Sequence, residues 1–234
     1  MGYNKITALS LTDLFVQQIE NMILSGELSV GEQLPAAREL SVKMGVSRPV
    51  ISAGLVELEK LGFVEIVPRQ GVFVSDYRRT GTVETLVAIM RYNSGSMRQA
   101  EVKSLLEVRE HLECLCVKLV IEKASDEELE ALSGILDQLK NAADFDAAAD
   151  CVFRFYHELA ILSGNVLLPL MYYSFRSPGI HLWMLYCKKN GIEALYRLKL
   201  ELYQALLNRE IDLALEKTHM IMRDAIDNLK LYGA

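Results

Sequence analysis

Three arginines in the first third of the chain have the chemistry and spacing of nucleic-acid contacts. Arg38 lies in a short helical run, Arg48 lies in "GVSRPVISAGL", and Arg69 precedes a glycine between two apolar runs. A guanidinium group binds a guanine edge or a phosphate through two parallel hydrogen bonds. These arginines can read DNA only if the elements that carry them hold them outside the core.

The stretch from Gly45 to Leu55 predicts a helix with a sharply fixed start. Ser47 is a favoured N-cap residue, and Pro49 is tolerated in the first turn because N–H groups there lack intrahelical partners. A buried stripe is expected at Ile51, Leu55, Leu58 and Leu61. The side chains expected to face away from that stripe are Arg48, Pro49 and Ser52.

The neighbouring segments predict a winged helix-turn-helix. Ser10 and Asp13 form a capping-box pattern for a first helix that ends at Gly26, and "AARELSVKMG" predicts a second helix ending at Gly45. After Gly62 the pattern becomes β-rich in "FVEIVPR" and "GVFVSD", which predicts a hairpin at the glycine turn. Two helices with a tight glycine-containing turn, followed by a small hairpin, make this fold.

The rest of the chain reads as helix, so the fold class is mostly α. Leu105, Leu106, Leu112, Leu115 and Leu119 predict one apolar face, and capping or turn signals separate the later segments. An all-α bundle of six or seven helices is expected, with a turn at "SPG" and a last helix over 210–231. The predicted division is a winged-helix domain over 1–76, a linker over 77–86 and a helical effector and dimerisation domain over 87–234.

Composition narrows the function further. The net charge of −6 confines DNA contact to a local face, and the stretch from Leu34 to Ala53 holds three cations and one acid. No run is long and apolar enough for a membrane span, no signal peptide is seen, and four dispersed cysteines favour reduced thiols. The sequence lacks phosphate-loop, G-x-S-x-G and H-E-x-x-H motifs. We therefore expect a cytoplasmic protein that is not an enzyme.

From Leu28 to Val74 the chain resembles the GntR family of transcription regulators. The resemblance lies in the Leu34-Pro35 turn, "REL", "VSR" and the closing "GVFV". It implies DNA contact by Arg38 and Arg48, with the wing tip probing the minor groove. The predicted DNA-binding residues are Arg38, Ser47, Arg48, Pro49, Ser52, Arg69, Gln70 and Gly71. The family usually has a second recognition-helix arginine at the position of Ser52, which implies an altered operator or weaker binding per half-site here.

The second half resembles the FCD effector domain of the FadR-like subgroup, through "LLEVREHLE", "FYHELAILSGN" and "YQALLNREIDLALEKTHMIM". The resemblance implies a homodimer that binds a pseudo-palindromic operator and responds to a small-molecule effector. Many such domains bind a divalent metal. Of the four ligand positions only His157 carries a ligand, since Phe153, Lys199 and Ile221 occupy the others; His219 lies two residues from the last, and Cys151 is a further substitute only if the alignment shifts.

No metal or other cofactor is therefore expected, and an organic effector, lipid-like or an organic acid, is favoured. Arg109 could pair with an effector carboxylate or phosphate, or with a buried acid such as Glu107 or Glu113; Lys199 could likewise bind an anion. The predicted effector-binding residues are Arg109, Phe153, His157, Tyr172 and Lys199. The alternatives are a metal-dependent regulator of the same architecture that senses a carboxylate metabolite, or a winged helix used only for protein pairing.

Overall fold

The computed structural model describes residues 9–92 and 99–227 of the 234-residue chain. The chain divides into two units, Met1–Tyr92 and Asn93–Ala234. Both units are mainly helical, and the only sheet in the described residues is a two-stranded one in the first unit. The predicted mostly-α fold with an N-terminal winged helix is confirmed.

The first unit contains five helices and two strands within its described part. In chain order they are α1 (Leu11–Ser25), α2 (Ala37–Met44), α3 (Arg48–Lys60), β1 (Val64–Val67), β2 (Gly71–Val74), α4 (Tyr77–Thr80) and α5 (Val83–Tyr92). The predicted capping box is present, because Ser10 accepts from the Asp13 N–H and the Asp13 carboxylate accepts from the Ser10 N–H. Gly26 and Gly45 end α1 and α2 in left-handed conformations that suit glycine.

The core of this unit lies where α1 crosses α3. Ile51, Leu55 and Leu58 are buried as predicted, whereas Leu61 at the end of the stripe is only partly buried. Gly54 lets the two helices approach closely, since a Cβ atom there would lie 2.2 Å from Cδ1 of Phe15.

The predicted hairpin pairs β1 with β2 in antiparallel register, Val64 opposite Val74. The turn before α2 adds a third, short edge: Gln33 bridges to Phe73, and the Leu34 N–H donates to the Val72 carbonyl at 2.8 Å. The hairpin is therefore attached to the helix-turn-helix by backbone hydrogen bonds.

Residues 77–86, the predicted linker, contain α4 and the start of α5. Thr85 is buried and donates its hydroxyl to the carbonyl of Leu61 at 2.7 Å, while Ala88 joins the core of the first unit. The boundaries 1–76, 77–86 and 87–234 stay a prediction.

The second unit contains eight helices within residues 99–227. They are α6 (Gln99–Lys123), α7 (Asp126–Ala131), α8 (Ser133–Lys140), α9 (Phe145–Leu162), α10 (Leu168–Ser174), α11 (Arg176–Asn190), α12 (Ile192–Leu207) and α13 (Ile211–Asp227). The sequence predicted six or seven, because breaks at Leu132 and Phe175 leave no glycine or proline at the break itself. The end of the last predicted helix, at 228–231, lies outside the described residues.

Two local predictions for this unit were wrong. Leu115 is 40% exposed, because the buried face of α6 runs through Leu106, Arg109 and Glu113, with polar residues replacing the expected leucines. The predicted "SPG" turn forms the first turn of α11, where Pro178 loses no intrahelical hydrogen bond. No helix in the described residues is long and apolar enough to cross a membrane.

Candidate functional site

The N-terminus of α3 carries Ser47, whose hydroxyl makes no capping hydrogen bond, and the exposed Arg48. Ser47 occupies the N-cap position with extended dihedral angles (φ −69°, ψ 151°), yet its side chain makes no capping hydrogen bond. The expectation that Ser47 fixes the helix start is thus met by its backbone conformation and by Pro49, not by its hydroxyl. This hydroxyl and the free N–H groups of the first turn are left to bind an anion, as helix N-termini do.

The other predicted DNA-contact residues on the helix-turn-helix are also on the surface. Arg38, Arg48, Pro49 and Ser52 are all exposed. Lys43 pairs with Glu39 at 2.8 Å, whereas neither Arg38 nor Arg48 forms an ion pair with any residue in the described ranges. Two unpaired guanidinium groups therefore accompany the start of α3.

The turn between α2 and α3 is held by two hydrogen bonds. The Ser41 hydroxyl donates to the Val46 carbonyl at 2.6 Å, and the Val46 N–H donates to the Ser41 carbonyl at 3.2 Å. These two bonds hold the turn that connects α2 to the start of α3, where Arg48 lies.

The wing tip is exposed at Arg69 and Gln70, and Gly71 is partly buried. Arg69 has a positive φ of 63° and Gly71 a φ of 132°. The backbone conformation at position 71 favours glycine, because residues with a Cβ atom rarely adopt it. Nε2 of Gln33 donates to the Gln70 carbonyl at 2.7 Å, and a Cβ on Gly71 would lie 2.5 Å from that same nitrogen. Gln33, which the sequence analysis missed, thus orients the wing tip; no motif pointed to it.

A buried charge cluster occupies the middle of the second unit. It consists of Arg109, Glu113, Tyr156, Tyr172 and Lys199, packed around Trp183. Arg109 donates to the Glu113 carboxylate at 2.7 Å, one helical turn away on α6, and both side chains are almost fully enclosed. Of the two partners predicted for Arg109, the buried acid is present in the structure.

Lys199 reaches the same cluster from α12. Its side chain is fully buried, and Nζ donates to the Tyr156 hydroxyl at 2.7 Å. The ammonium lies 4.3 Å from the centre of the Trp183 ring, over which the Arg109 guanidinium is also placed at 5.5 Å. Two cations therefore share one aromatic ring.

Two polar atoms of the cluster are buried without a hydrogen-bond partner in the described residues: Oε2 of Glu113 and the hydroxyl of Tyr172. Buried polar atoms are normally paired, so these two atoms each have the capacity for a further hydrogen bond. One of these atoms belongs to Tyr172, a predicted effector residue. The other belongs to Glu113, which pairs with the predicted effector residue Arg109 and which the sequence analysis named only as an alternative partner.

Burial controls the protonation of this cluster. It raises the pKa of Tyr156 and Tyr172 well above the ordinary value, with the negative charge of Glu113 adding to the effect. Burial is the largest single influence on Arg109 and lowers its pKa, but Glu113, Tyr172 and Tyr156 together outweigh burial, so the pKa of Arg109 is raised. For Lys199, burial lowers the pKa to about 7.

A cavity of about 320 Å³ adjoins this cluster. Arg109 and Trp183 form part of its wall, its apolar residues include Leu182 and Ile221, and Asn190 and Asp224 add polar groups. A second space of about 20 Å³ lies between Arg109, Phe153, Tyr172 and the Trp183 ring. The larger cavity is of the size and composition that bind small organic molecules.

Two of the predicted effector residues are less central. Phe153 is buried beside the smaller space, and its ring stacks on the half-buried ring of His157 at 5.7 Å. His157 also contacts Tyr173, at 5.8 Å between ring centres. Of the five predicted effector residues, only Arg109 lies on the wall of the larger cavity, and Phe153 and Tyr172 border the smaller space. The effector role of all five stays a prediction.

The residues present do not fit a metal centre. Within the described ranges no three His, Cys, Asp or Glu side chains are grouped to hold a metal ion. Lys199 places an amine at a position where the resemblance implies a ligand, and its other contacts are a phenol and two rings. Zinc sites need at least three protein ligands, and this arrangement does not supply them.

The winged helix-turn-helix and the helical domain with its buried cavity define a DNA-binding transcriptional regulator with an effector domain. The family model "Bacterial regulatory proteins, gntR family" matches residues 12–74, and the FCD domain model matches residues 104–224. The chain belongs to the GntR family, in the FadR-like subgroup that carries an FCD domain. This is a family of regulators, not of enzymes.

Relatives of known name agree with this assignment. The chain is 28% identical over 177 residues to the HTH-type transcriptional regulator Mce2R of Mycobacterium tuberculosis, covering 76% of this chain and 73% of that one. It is 28% identical over 192 residues to the transcriptional regulator LutR of Bacillus subtilis, covering 79% and 85%. The solved structure of Listeria monocytogenes Lar shares the fold, with a TM-score of 0.64 and 17% identity over 97% of this chain and 99% of that one.

Proposed function

We propose that this regulator binds a pseudo-palindromic operator as a homodimer and that a small organic effector controls its operator affinity. The observation that carries the DNA part is the start of α3, where Ser47 makes no capping bond and Arg48 is exposed without an ion pair. One such tip provides few contacts, and the acidic chain repels DNA at long range. Two tips related by a two-fold axis double the contacts and match a palindrome.

In the proposed complex the N-terminus of α3 enters the major groove. Arg48 contacts a guanine edge, Ser47 and the first-turn N–H groups contact phosphates, and Arg38 contacts the backbone or a base from α2. Pro49 packs beside the bases, and Ser52 takes the place of a second arginine, which relaxes specificity at one position. Such a regulator acts in the cytoplasm, where bacterial DNA lies.

The wing supplies a separate contact in this proposal. Arg69 and Gln70 extend from the hairpin towards the minor groove, and Gly71 allows the turn that presents them. Minor-groove contact by arginine depends on groove width more than on base identity. We therefore assign affinity to the wing and most of the sequence discrimination to Arg48.

The effector part rests on the cavity of about 320 Å³ and its charged end. An apolar body fits against residues such as Leu182 and Ile221, and an anionic head group reaches the guanidinium of Arg109. Lys199, Tyr172, Phe153 and His157 surround the head-group end in this proposal. The effector changes the spacing of the two winged helices, and its unequal affinity for the two arrangements sets the size of the response.

In vitro selection from random double-stranded DNA tests the DNA part. We expect an enriched pseudo-palindrome, bound more weakly as salt rises because phosphate contacts release counterions. Arg48→Ala should lower affinity for that sequence by at least about fivefold per half-site, since a bidentate arginine contributes roughly 1–3 kcal/mol of discrimination. Lys60→Ala, at the other end of α3, is the matched control and should bind normally. Enrichment of no sequence, or unchanged binding by Arg48→Ala, contradicts the proposal.

A ligand panel tests the effector part. Purified protein is heated with acetate, hexanoate, octanoate, benzoate or phenylacetate, and with the neutral amide of each acid. At least one acid of six or more carbons should raise the melting temperature more than its amide and weaken operator binding. If no acid exceeds its amide, the organic-acid effector is wrong. Stoichiometric metal in protein purified without chelator would instead favour the metal-dependent alternative.

A further inference from the structure

The amine of Lys199 is buried without a carboxylate partner among the described residues. An ammonium group has three N–H donors, but Lys199 makes a single hydrogen bond, to the neutral hydroxyl of Tyr156. Its remaining contacts are the faces of the Trp183 and Tyr156 rings, at 4.3 and 4.6 Å. Nothing in this arrangement fully neutralises a positive charge.

The groups around Lys199 likewise supply no unpaired negative charge. From α6 come Arg109 and Glu113, which pair with each other at 2.7 Å. Tyr156 on α9 is a neutral phenol, and α11 contributes the uncharged ring of Trp183. Helices α7, α8 and α13 also pack against α12, but no described residue of theirs adds a charge that shifts the Lys199 pKa.

With Lys199 protonated, the cluster therefore contains two cations and one anion, all enclosed. An unpaired buried charge is costly, and such groups respond by losing the charge. Burial lowers the pKa of Lys199 to about 7, the Glu113 carboxylate raises it somewhat and Arg109 lowers it. The group is thus divided between amine and ammonium near neutral pH.

The cavity offers the missing negative charge a route to this cluster. Its wall includes Arg109 and Trp183, and the Trp183 ring is the surface that the Arg109 and Lys199 cations share. A carboxylate that enters beside Arg109 faces a cluster with one excess cation, and the cavity wall also carries the exposed side chains of Asn190 and Asp224. One monoanionic head group balances the charge, whereas a dianion leaves an excess negative charge.

We propose that Lys199 is a proton-coupled receptor for a monoanionic effector, taking up a proton from solvent when the effector's carboxylate binds beside Arg109. This inference rests on the organic-acid effector proposed above. Proton and carboxylate bind together, so each stabilises the other's binding. Effector affinity is then nearly constant below pH 7 and falls by up to about tenfold for each pH unit above it.

Isothermal titration calorimetry on the full chain measures the coupled proton directly. The probe is octanoate, or whichever acid of the panel gives the largest thermal shift, titrated at pH 8.0 in phosphate and in Tris. These buffers differ in ionisation enthalpy, so the difference in observed heat gives the number of protons taken up. We expect about one proton per protomer at pH 8.0 and less than about 0.3 at pH 6.0.

Variants assign the proton to Lys199. Lys199→Arg keeps a permanent cation and should bind the probe without proton uptake. Lys199→Met, which fills similar space without charge, should bind at least about tenfold more weakly, also without uptake. Lys103→Met, a change of an exposed lysine on α6, is the matched control and should behave as the unaltered protein.

The outcomes distinguish a failure of the Lys199 proposal from a failure of the organic-acid effector proposal. Binding of an acid by the unaltered protein without proton uptake overturns the role of Lys199 and leaves the organic-acid effector in place. Uptake that persists in folded Lys199→Met also overturns it, because another group must then carry the proton. Failure of every acid to exceed its amide in the thermal panel overturns the effector proposal itself.

Discussion

The tip of α3 and the middle of the helical domain both present cationic side chains, but in opposite surroundings. Arg48 at the tip and Arg38 on α2 are exposed and form no ion pair with any described residue. In the buried cluster, Arg109 and Lys199 are enclosed, and the one acid there, Glu113, pairs with Arg109 and not with Lys199. Water stabilises the charges of Arg38 and Arg48, so both guanidinium groups are available to any phosphate. The charges of Arg109 and Lys199 depend instead on the surrounding protein and on what enters the cavity.

For the function proposed above, this contrast predicts a different kind of selectivity at each site. Exposed arginines at a helix N-terminus attract any DNA, and specificity comes only from the geometry of base contact. A buried cluster with one excess positive charge selects ligands by their charge, because a ligand of the wrong charge leaves a buried charge uncompensated. The following changes test the contrast, beginning with the largest expected effect.

Glu113→Gln should be the most destabilising change. It leaves the buried guanidinium of Arg109 without a counter-charge, which typically lowers the free energy of unfolding by roughly 3–5 kcal/mol. Urea denaturation followed by fluorescence measures this directly, since Trp183 is the only tryptophan and lies within the cluster. Glu193→Gln, which breaks the exposed pair with Arg197, is the control and should change stability by less than about 1 kcal/mol. Equal effects of the two changes would show that the cluster is hydrated.

The sequence predicted the start of α3 better than it predicted the buried cluster. Arg48, Pro49 and Ser52, which are predicted to contact DNA, lie on the surface because a capped helix with a stripe at Ile51, Leu55 and Leu58 fixes which residues face outward. Periodicity and capping are local, so the winged helix followed from them. The position of Gln33 under the wing did not, since it depends on contact across 37 residues.

The buried cluster was harder to predict. The sequence singled out Arg109 and Lys199, but the Lys199 contact with Tyr156 spans 43 residues and the shared Trp183 ring comes from a third helix. The apolar face assigned to α6 was partly wrong for the same reason. A helix that buries Arg109 and Glu113 shows no leucine periodicity there, because its face packs against polar groups from other helices.

The second prediction concerns pH. The folded pKa of Lys199, about 7, lies below its ordinary value of 10.5, so the unfolded chain binds more protons between these values. The free energy of unfolding should therefore rise with pH above 7, by at most about 1.4 kcal/mol per unit from this group. Between pH 6 and pH 8.5 the unaltered protein should gain about 2 kcal/mol more than Lys199→Met. Parallel pH profiles of the two proteins would show that Lys199 titrates normally.

The third prediction tests packing beneath the DNA site. Gly54→Ala puts a methyl group 2.2 Å from Cδ1 of Phe15, so the Phe15 ring must move and α1 and α3 separate slightly. Overpacking of this kind typically costs roughly 1–3 kcal/mol, and the gain in helix propensity offsets up to about 1 kcal/mol of it. We expect a net loss of roughly 1–2 kcal/mol for the first unit, measured by calorimetry.

Gly134→Ala provides the control for that change. Gly134 lies in α8, and a Cβ atom there meets nothing within 4 Å. This variant should be neutral or slightly stabilised. A Gly54→Ala protein as stable as Gly134→Ala would mean that α1 and α3 are not packed as closely as the structure shows.

The smallest effect is expected for Ser47→Ala, and its size distinguishes a structural serine from a functional one. An N-cap serine normally contributes about 1 kcal/mol through its side-chain hydrogen bond. Ser10 makes that bond in its capping box, whereas Ser47 does not, so Ser10→Ala should cost about 1 kcal/mol and Ser47→Ala only a few tenths. Operator affinity should respond in the opposite order, falling for Ser47→Ala and not for Ser10→Ala. If Ser47→Ala instead destabilised the first unit as much as Ser10→Ala, its hydroxyl would be committed to capping α3, and only the backbone N–H groups and Arg48 would remain at the tip to bind DNA.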